Sequence, residues 1–119
     1  MVQVSLNSTG TGYRSGARKE YSEIQMPPPG KPRIEIEYCT QCRWLLRAAW
    51  MAQELLVTFE EDIGGVALVP GTGGTFEIRL GGALIWSRAE QGRFPEIKEL
   101  KRLVRDRVAP GKDLGHVDR

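Results

Sequence analysis

The sequence predicts an α/β domain built on a four-stranded mixed sheet, in the order β-α-β-β-β-α, with both helices on one face. Three observations point there. Ile34, Ile36 and Tyr38 alternate with Glu35 and Glu37, the period-two pattern of a strand with one apolar and one polar face. Beyond Cys39 the apolar spacing lengthens to that of a helix. TFEIRL, then Gly81-Gly82, then ALIWSR reads as two strands joined by a two-residue glycine turn suited to positive φ.

The totals narrow the class. A chain of 119 residues fits one domain, and 40% hydrophobic with 27% charged residues is ordinary for a soluble globular protein. No apolar run approaches the roughly 18 residues of a membrane span. The N-terminal stretch lacks the basic start and apolar block of a secretory signal, so a cytoplasmic protein without membrane association is expected. Seventeen basic residues nearly match 15 acidic ones, for a net charge of +2. The most basic segment, KELKRLVRDR, is interrupted by Glu99 and Asp106 and carries no aromatics for base stacking, so no nucleic-acid partner is expected.

Residues 1–32 are rich in Ser, Thr, Gly and charge and end in PPPGKP, where proline forbids helix and removes ladder donors. They read as an appended arm, flexible or covered by a partner. The domain proper spans 33–108. Its first helix is expected over residues 41–59, with Leu45, Ala48, Ala49, Ala52, Leu56 and Phe59 on the core side at about 100° per residue. Trp50, Leu46 and Val57 fall on a second, exposed stripe, open to a partner or to the arm. VALV, residues 66–69, is a short apolar strand, and PGTGG a loop. The last helix is expected from residue 94 or 95 to 107, with Pro95 near its first turn and Ile97, Leu100, Val104 and Val108 inward. Residues 109–119 form a C-terminal tail, expected to be loose.

A right-handed crossover makes the first two strands parallel, and the glycine turn makes the last two antiparallel. Glu35, Glu37, Glu77 and Arg79 then share a polar sheet face, which a homodimer contact or the arm would cover.

Cys39 and Cys42 sit where the first strand meets the first helix, and three roles compete for them. As a staple they would close a loop of only four residues, worth roughly 2 kcal/mol and less than longer loops give. As a zinc clamp they would need two further ligands, yet the chain has no third cysteine, and its one histidine, His116, lies in the tail. The third role is a dithiol that cycles. An i, i+3 pair around the first turn of a helix lies near disulfide spacing, and free N–H groups at the helix start together with Arg43 would favour the thiolate. A C-x-x-C between a strand and a helix of a βαβ unit is a specific signal. Chain geometry makes Cys39, at the strand end, the more exposed attacking sulfur and Cys42, within the helix, the resolving one.

The chain resembles the Rdx family, the thioredoxin-like group that includes selenoproteins W, T, H and V and bacterial cysteine-containing relatives. The resemblance rests on YCTQCRWLLRAAWMAQELL after a strand, on G-x-F-E from Gly74 to Glu77, on LGGALIWSR and on GRFP, and it covers residues 33–108. It implies a thioredoxin-like sheet and a thiol redox role with glutathione or protein thiols as partners; no bound cofactor is expected. It also implies a different order of attack, because selenocysteine in the selenoprotein members takes the position of Cys42. Thioredoxins set a cis-proline against the dithiol. Here Pro70 or the backbone of Gly73 and Gly74 would take that place, while Thr40, Gln41, Arg43 and Trp50 are further candidates for substrate or partner contact.

The expected function is thus a thiol-disulfide redox protein using the C-x-x-C dithiol. The alternative is a redox-regulated protein-binding module, docking through Trp50 and residues 70–74 without turnover.

Overall fold

The computed structural model describes residues 2–3 and 30–115. Most of the predicted arm, and His116 with the last residues of the predicted tail, lie outside them.

The four predicted strands all form. β2 (Arg33–Cys39), β3 (Gly65–Gly71), β4 (Phe76–Leu80) and β5 (Ala83–Ser87) build the sheet, and a two-residue strand β1 (Val2–Gln3) adds to its edge, giving the order β1-β3-β2-β4-β5. β2 lies at the centre, parallel to β3 and antiparallel to β4. Its even-numbered side chains Ile34, Ile36 and Tyr38 are buried, as the alternation requires. The turn between β4 and β5 holds Gly81 at φ 59° and Gly82 at φ 88°, both in the left-handed region that favours glycine.

Among the described residues there are three helices, α1 (Leu45–Thr58), the short α2 (Arg88–Gln91) and α3 (Ile97–Val108). One hydrophobic cluster joins Ile34, Ile36, Val66, Leu68, Phe76 and Ile78 of the sheet to Ala48, Met51, Leu55 and Phe59 beside α1 and to Leu100 and Val104 of α3, so both long helices pack on the same face. α3 opens on a capping box, in which Glu96 and Glu99 each accept a backbone N–H from the other's end of the turn. Between the helices Lys101, almost buried, pairs with Glu54 at 2.8 Å.

Both long helices and the tail depart in detail from the sequence reading, and α3 begins at Ile97 rather than at residue 94 or 95. α1 begins at Leu45 rather than near residue 41, and its inward arc is Ala48, Met51, Ala52, Leu55 and Phe59. Leu45, expected in the core, is 44% exposed, because it opens the helix where α1 has only just reached the sheet. The stripe of Leu46, Trp50 and Val57 is exposed, as expected. Residues 109–115, in turn, are tied down: Lys112 donates to the Thr58 carbonyl at 3.0 Å and pairs with Asp62 at 2.8 Å, and Leu114 packs against the core.

The other sheet face is polar. Glu37 and Glu77 stand opposite each other across β2 and β4, an arrangement that repels unless a cation intervenes. Arg79 supplies it, 2.9 Å from Glu77 and 3.7 Å from Glu37.

Candidate functional site

β2 delivers Cys39 to the C-terminal edge of the parallel pair, the edge where open α/β sheets place their ligand sites, and there it stands beside Gly71 of β3. The chain then turns rather than entering a helix. Thr40 donates from its backbone N–H and its hydroxyl to the Gly71 carbonyl, at 3.0 and 3.2 Å. Arg43 N–H returns to the Thr40 carbonyl at 3.1 Å, and Trp44 N–H reaches the Cys39 carbonyl at 3.4 Å. Arg43 has φ 60°, the one non-glycine residue with positive φ among the described residues. A helical ladder cannot run through such a residue, so α1 starts beyond it.

This relocates the dithiol. Cys42 is on a protruding turn and exposed, whereas Cys39, still in the central strand, is only 1% exposed. The expected exposures are therefore reversed: Cys42 faces the solvent and Cys39 does not. The two free sulfurs touch, Sγ to Sγ 2.6 Å, with Cys42 donating its S–H to Cys39.

Their acidities diverge for the same reason. The S–H of Cys42 holds the Cys39 thiol below its ordinary pKa, against the effect of burial, and backbone N–H groups of Gly74, Cys42 and Gln41 add to this. Cys42 is pushed up, first because it donates its proton to Cys39, then by desolvation and by the negative charge on Cys39. The Gly74 N–H and the positive charge of Arg88 pull Cys42 the other way. Of the two sulfurs, Cys39 is the one on which an anion is favoured and Cys42 the one that better keeps a shared proton. The donors that favour the anion come from the turn and from the Gly73-Gly74 loop, not from a helix terminus as the sequence reading expected.

That loop takes the position the sequence reading left between Pro70 and the glycines. Gly73 and Gly74 have φ 74° and 77°, and this backbone path aims the Gly74 N–H at both sulfurs. Pro70 is exposed in β3 and pairs across to Tyr38, one residue short of the dithiol's own level. Thr40 and Gln41 form the turn itself. Trp50 stands apart on the outer face of α1, 48% exposed.

An aromatic cluster that the sequence reading did not single out supports the turn. Trp44, Phe76 and Phe94 meet edge to face, with centroids 6.3, 4.8 and 4.9 Å apart. The Arg88 guanidinium lies 4.8 Å from the Trp44 ring and 5.0 Å from Phe94, and Arg47 lies 4.1 Å from Phe94. The signal was present, since Trp44, Arg88 and Phe94 all fall inside the motifs CTQCRW, LIWSR and GRFP; what the spacing does not convey is that three separate segments meet. Among the described residues no three His, Cys, Asp or Glu side chains gather as a metal site, and no helix is long and apolar enough to cross a membrane.

The Rdx family pattern matches residues 33–106, the stretch that holds β2 to β5, the dithiol, α1 and most of α3. Among curated proteins, "Migration and invasion enhancer 1" of Bos taurus is 35% identical over 96 residues, covering 74% of this chain and 79% of its own length. The Mus musculus protein of that name is 34% identical over 88 residues, covering 67% and 73%. Among solved structures, a Bordetella parapertussis protein is 65% identical with a TM-score of 0.64, covering 66% of this chain and 99% of its own. A selenoprotein W-related protein from Vibrio cholerae is 59% identical with a TM-score of 0.63, covering 64% and 95%.

Proposed function

The chain belongs to the Rdx family, and on that premise we propose that it is a thiol-disulfide redox protein in which Cys42 attacks and Cys39 resolves. The observation behind this reading is the contact of an exposed Cys42 with a buried, acidified Cys39 at 2.6 Å. A nucleophile must meet its substrate, and only Cys42 faces the solvent. A thiol must also lose its proton to attack, and Cys39 lies in hydrogen-bond contact to take it, in a transfer that runs uphill because Cys39 is the more acidic of the two.

The electrons and protons balance as follows. Cys42 passes its proton to Cys39 and attacks one sulfur of a disulfide R–S–S–R′. The Cys42–S–R bond forms, the substrate S–S bond breaks, and R′–S⁻ departs with the proton that Cys39 had taken up. Cys39, a thiolate again, attacks the Cys42 sulfur, closes the Cys39–Cys42 disulfide and releases R–S⁻. Two electrons reach the substrate, and a dithiol that began with one proton yields one thiol and one thiolate. Glutathione or a protein dithiol, in a reducing compartment such as the cytoplasm, would return the pair to its reduced form.

Trapping separates the two sulfurs. Cys39→Ser should accumulate a mixed disulfide on Cys42 with a glutathione disulfide probe, seen by intact mass, while Cys42→Ser should not. Accumulation in Cys42→Ser alone would reverse the assignment. If the wild-type dithiol neither closes nor takes up glutathione across a physiological glutathione buffer series, the redox reading itself falls.

A second reading draws on the exposed stripe of Leu46, Trp50 and Val57, at 83%, 48% and 76% exposure. Such a surface suits a protein partner whose docking the dithiol would regulate. A partner whose affinity changes on oxidation, with no turnover of disulfides, would favour this module over the enzyme.

A further inference from the structure

The cations of this protein that lie on aromatic rings fall into two groups. Arg93 lies 4.9 Å from the Trp86 ring and also grips Glu99 through two bonds of 2.9 Å. Lys112 lies 5.5 Å from the Phe59 ring and also pairs with Asp62. Arg47 and Arg88, on the Trp44–Phe94 cluster beside the dithiol, have ring contacts but no carboxylate among the described residues. The Arg88 Nε is moreover buried with no hydrogen-bond partner. Two guanidiniums held on aromatic faces, pre-positioned and without a counter-ion, form an incomplete anion site.

The elements around them fix its place. Arg88 opens α2, whose N-cap Ser87 accepts the Glu90 N–H, so its backbone is anchored. Trp44, under Arg88, follows Cys42 by two residues and is tied to the Cys39 carbonyl. Phe76, against both rings, pairs with Tyr38 in β2, next to Cys39. On the polar side of the sheet, Glu37 and Glu77 are engaged with Arg79.

We propose that Arg88, assisted by Arg47, docks a carboxylate of the disulfide that the Cys39–Cys42 pair reduces, so that the protein selects disulfides with a carboxylate near the scissile sulfurs. This rests on the redox reading above and names its substrate class. The positive charge of Arg88 also reaches the Cys42 sulfur and favours its thiolate, so the guanidinium lies within electrostatic range of the exposed sulfur. A carboxylate bound there brings its neighbouring sulfur to Cys42, and Cys39 remains behind it.

The test is a charge series of small disulfides. Reduced protein is mixed with dithiodipropionate (anionic), hydroxyethyl disulfide (neutral) and cystamine (cationic), each rate being divided by that of the same disulfide with dithiothreitol. The wild type should prefer the anionic over the neutral probe by about tenfold at low salt, the scale of one charge-assisted contact. Salt should erode the preference, and Arg88→Gln should abolish it, with Arg47→Gln intermediate. A preference that is absent in the wild type, or unchanged in Arg88→Gln because all three rates fall together, would overturn the proposal and leave Arg88 a packing or acidity residue. Should Arg88→Gln fail to fold by circular dichroism, Arg47→Gln and the salt dependence of the wild type decide. Glutathione disulfide, and a peptide disulfide with glutamates flanking the cysteine, each run against its amide counterpart, tell whether the carboxylate comes with a small thiol or a protein segment. If none of the probes closes the Cys39–Cys42 disulfide in the wild type, the redox reading fails, a result distinct from closure without charge preference.

Discussion

Gly74 is where backbone conformation and thiol chemistry meet, and Gly74→Ala separates them. A methyl group added at Gly74 would meet no atom within 4 Å, so the substitution acts through φ, which is 77°. Holding a non-glycine residue in the left-handed region costs roughly 1–2 kcal/mol. Alanine recovers about 0.4–1 kcal/mol by narrowing the unfolded ensemble. The net destabilisation is about 1 kcal/mol, a fall in Tm of about 4–8 °C for a domain of this size. If the loop relieves that strain by shifting, the Gly74 N–H leaves the sulfurs and the Cys39 thiolate loses a donor.

Gly82→Ala is the control. Its φ is 88° and it too would meet no atom within 4 Å, but it lies on the turn beside Gly81, whose N–H bonds to Arg33 at the far end of β2 from Cys39. Thermal unfolding under reductant should show both variants destabilised alike. Thiolate absorbance at 240 nm against pH should move upward only in Gly74→Ala. Equal titration curves for the two variants would refute the view that this loop holds the anion.

Removing either sulfur should shift the other in opposite directions. In Cys42→Ala the remaining Cys39 loses the S–H that chiefly lowers it and titrates higher; in Cys39→Ala the remaining Cys42 titrates lower, both toward the ordinary value of ~8.5. Iodoacetamide rates across pH would show it, and two curves that move the same way would contradict a shared proton. Glu99 is held below its ordinary pKa, chiefly by hydrogen bonds from Arg93, so its ionised form stabilises the fold above about pH 4.3, and that contribution is lost as pH falls through its lower folded value. Urea unfolding should therefore find Glu99→Gln slightly less stable than wild type at pH 7, with the gap closing at acid pH; a constant gap would argue for a role other than charge. Between the helices, Lys101→Met should change stability by less than about 1 kcal/mol or raise it, while Glu54→Gln, which strands a nearly buried ammonium, should lose about 1–2 kcal/mol. Urea titrations with the order of the two reversed would show that the pair is worth more than its desolvation.

The sheet was legible because its signals are local. Alternation of Ile34, Ile36 and Tyr38 and the Gly81-Gly82 turn depend on residues within one strand or one hairpin, and the parallel pairing follows from handedness. The start of α1 was not legible in the same way. Nothing in the composition of TQCRW requires Arg43 to take a positive φ, a conformation that arginine rarely adopts. It is fixed by what the turn must do, returning hydrogen bonds to Thr40 and Cys39 while Trp44 docks on Phe76 and Phe94. Those rings come from segments some thirty and fifty residues further along. The inward arc also differs from the expected one, with Leu45 outward and Met51 and Leu55 in. The residues of the dithiol could be read from spacing, but their exposures could not.

That same turn explains why the second sulfur is the exposed one. With a helix beginning near residue 41, Cys42 would have been drawn back over the sheet end and Cys39 left at the rim. With the left-handed Arg43, the chain loops out through Thr40 and Gln41 before α1 begins, so Cys42 projects while Cys39 keeps its place in the central strand. Burial alone would raise the Cys39 pKa; the Cys42 S–H, with the N–H groups of Gly74 and the turn, more than offsets it. Exposure and acidity are thus assigned to different atoms, which a single cysteine could not combine at this edge. The resemblance to selenoproteins fits that division, because the position matching Cys42 is where those members place selenium. A selenol ionises without help from a neighbour, so replacing sulfur by selenium at Cys42 should remove the need for Cys39 as proton acceptor while keeping its role in resolution. The corresponding Cys42→Sec protein should then react with disulfides at a rate nearly independent of Cys39→Ala, whereas the rate of the cysteine protein should change when Cys39 is lost; an equal change in both would assign Cys39 to packing rather than to the proton.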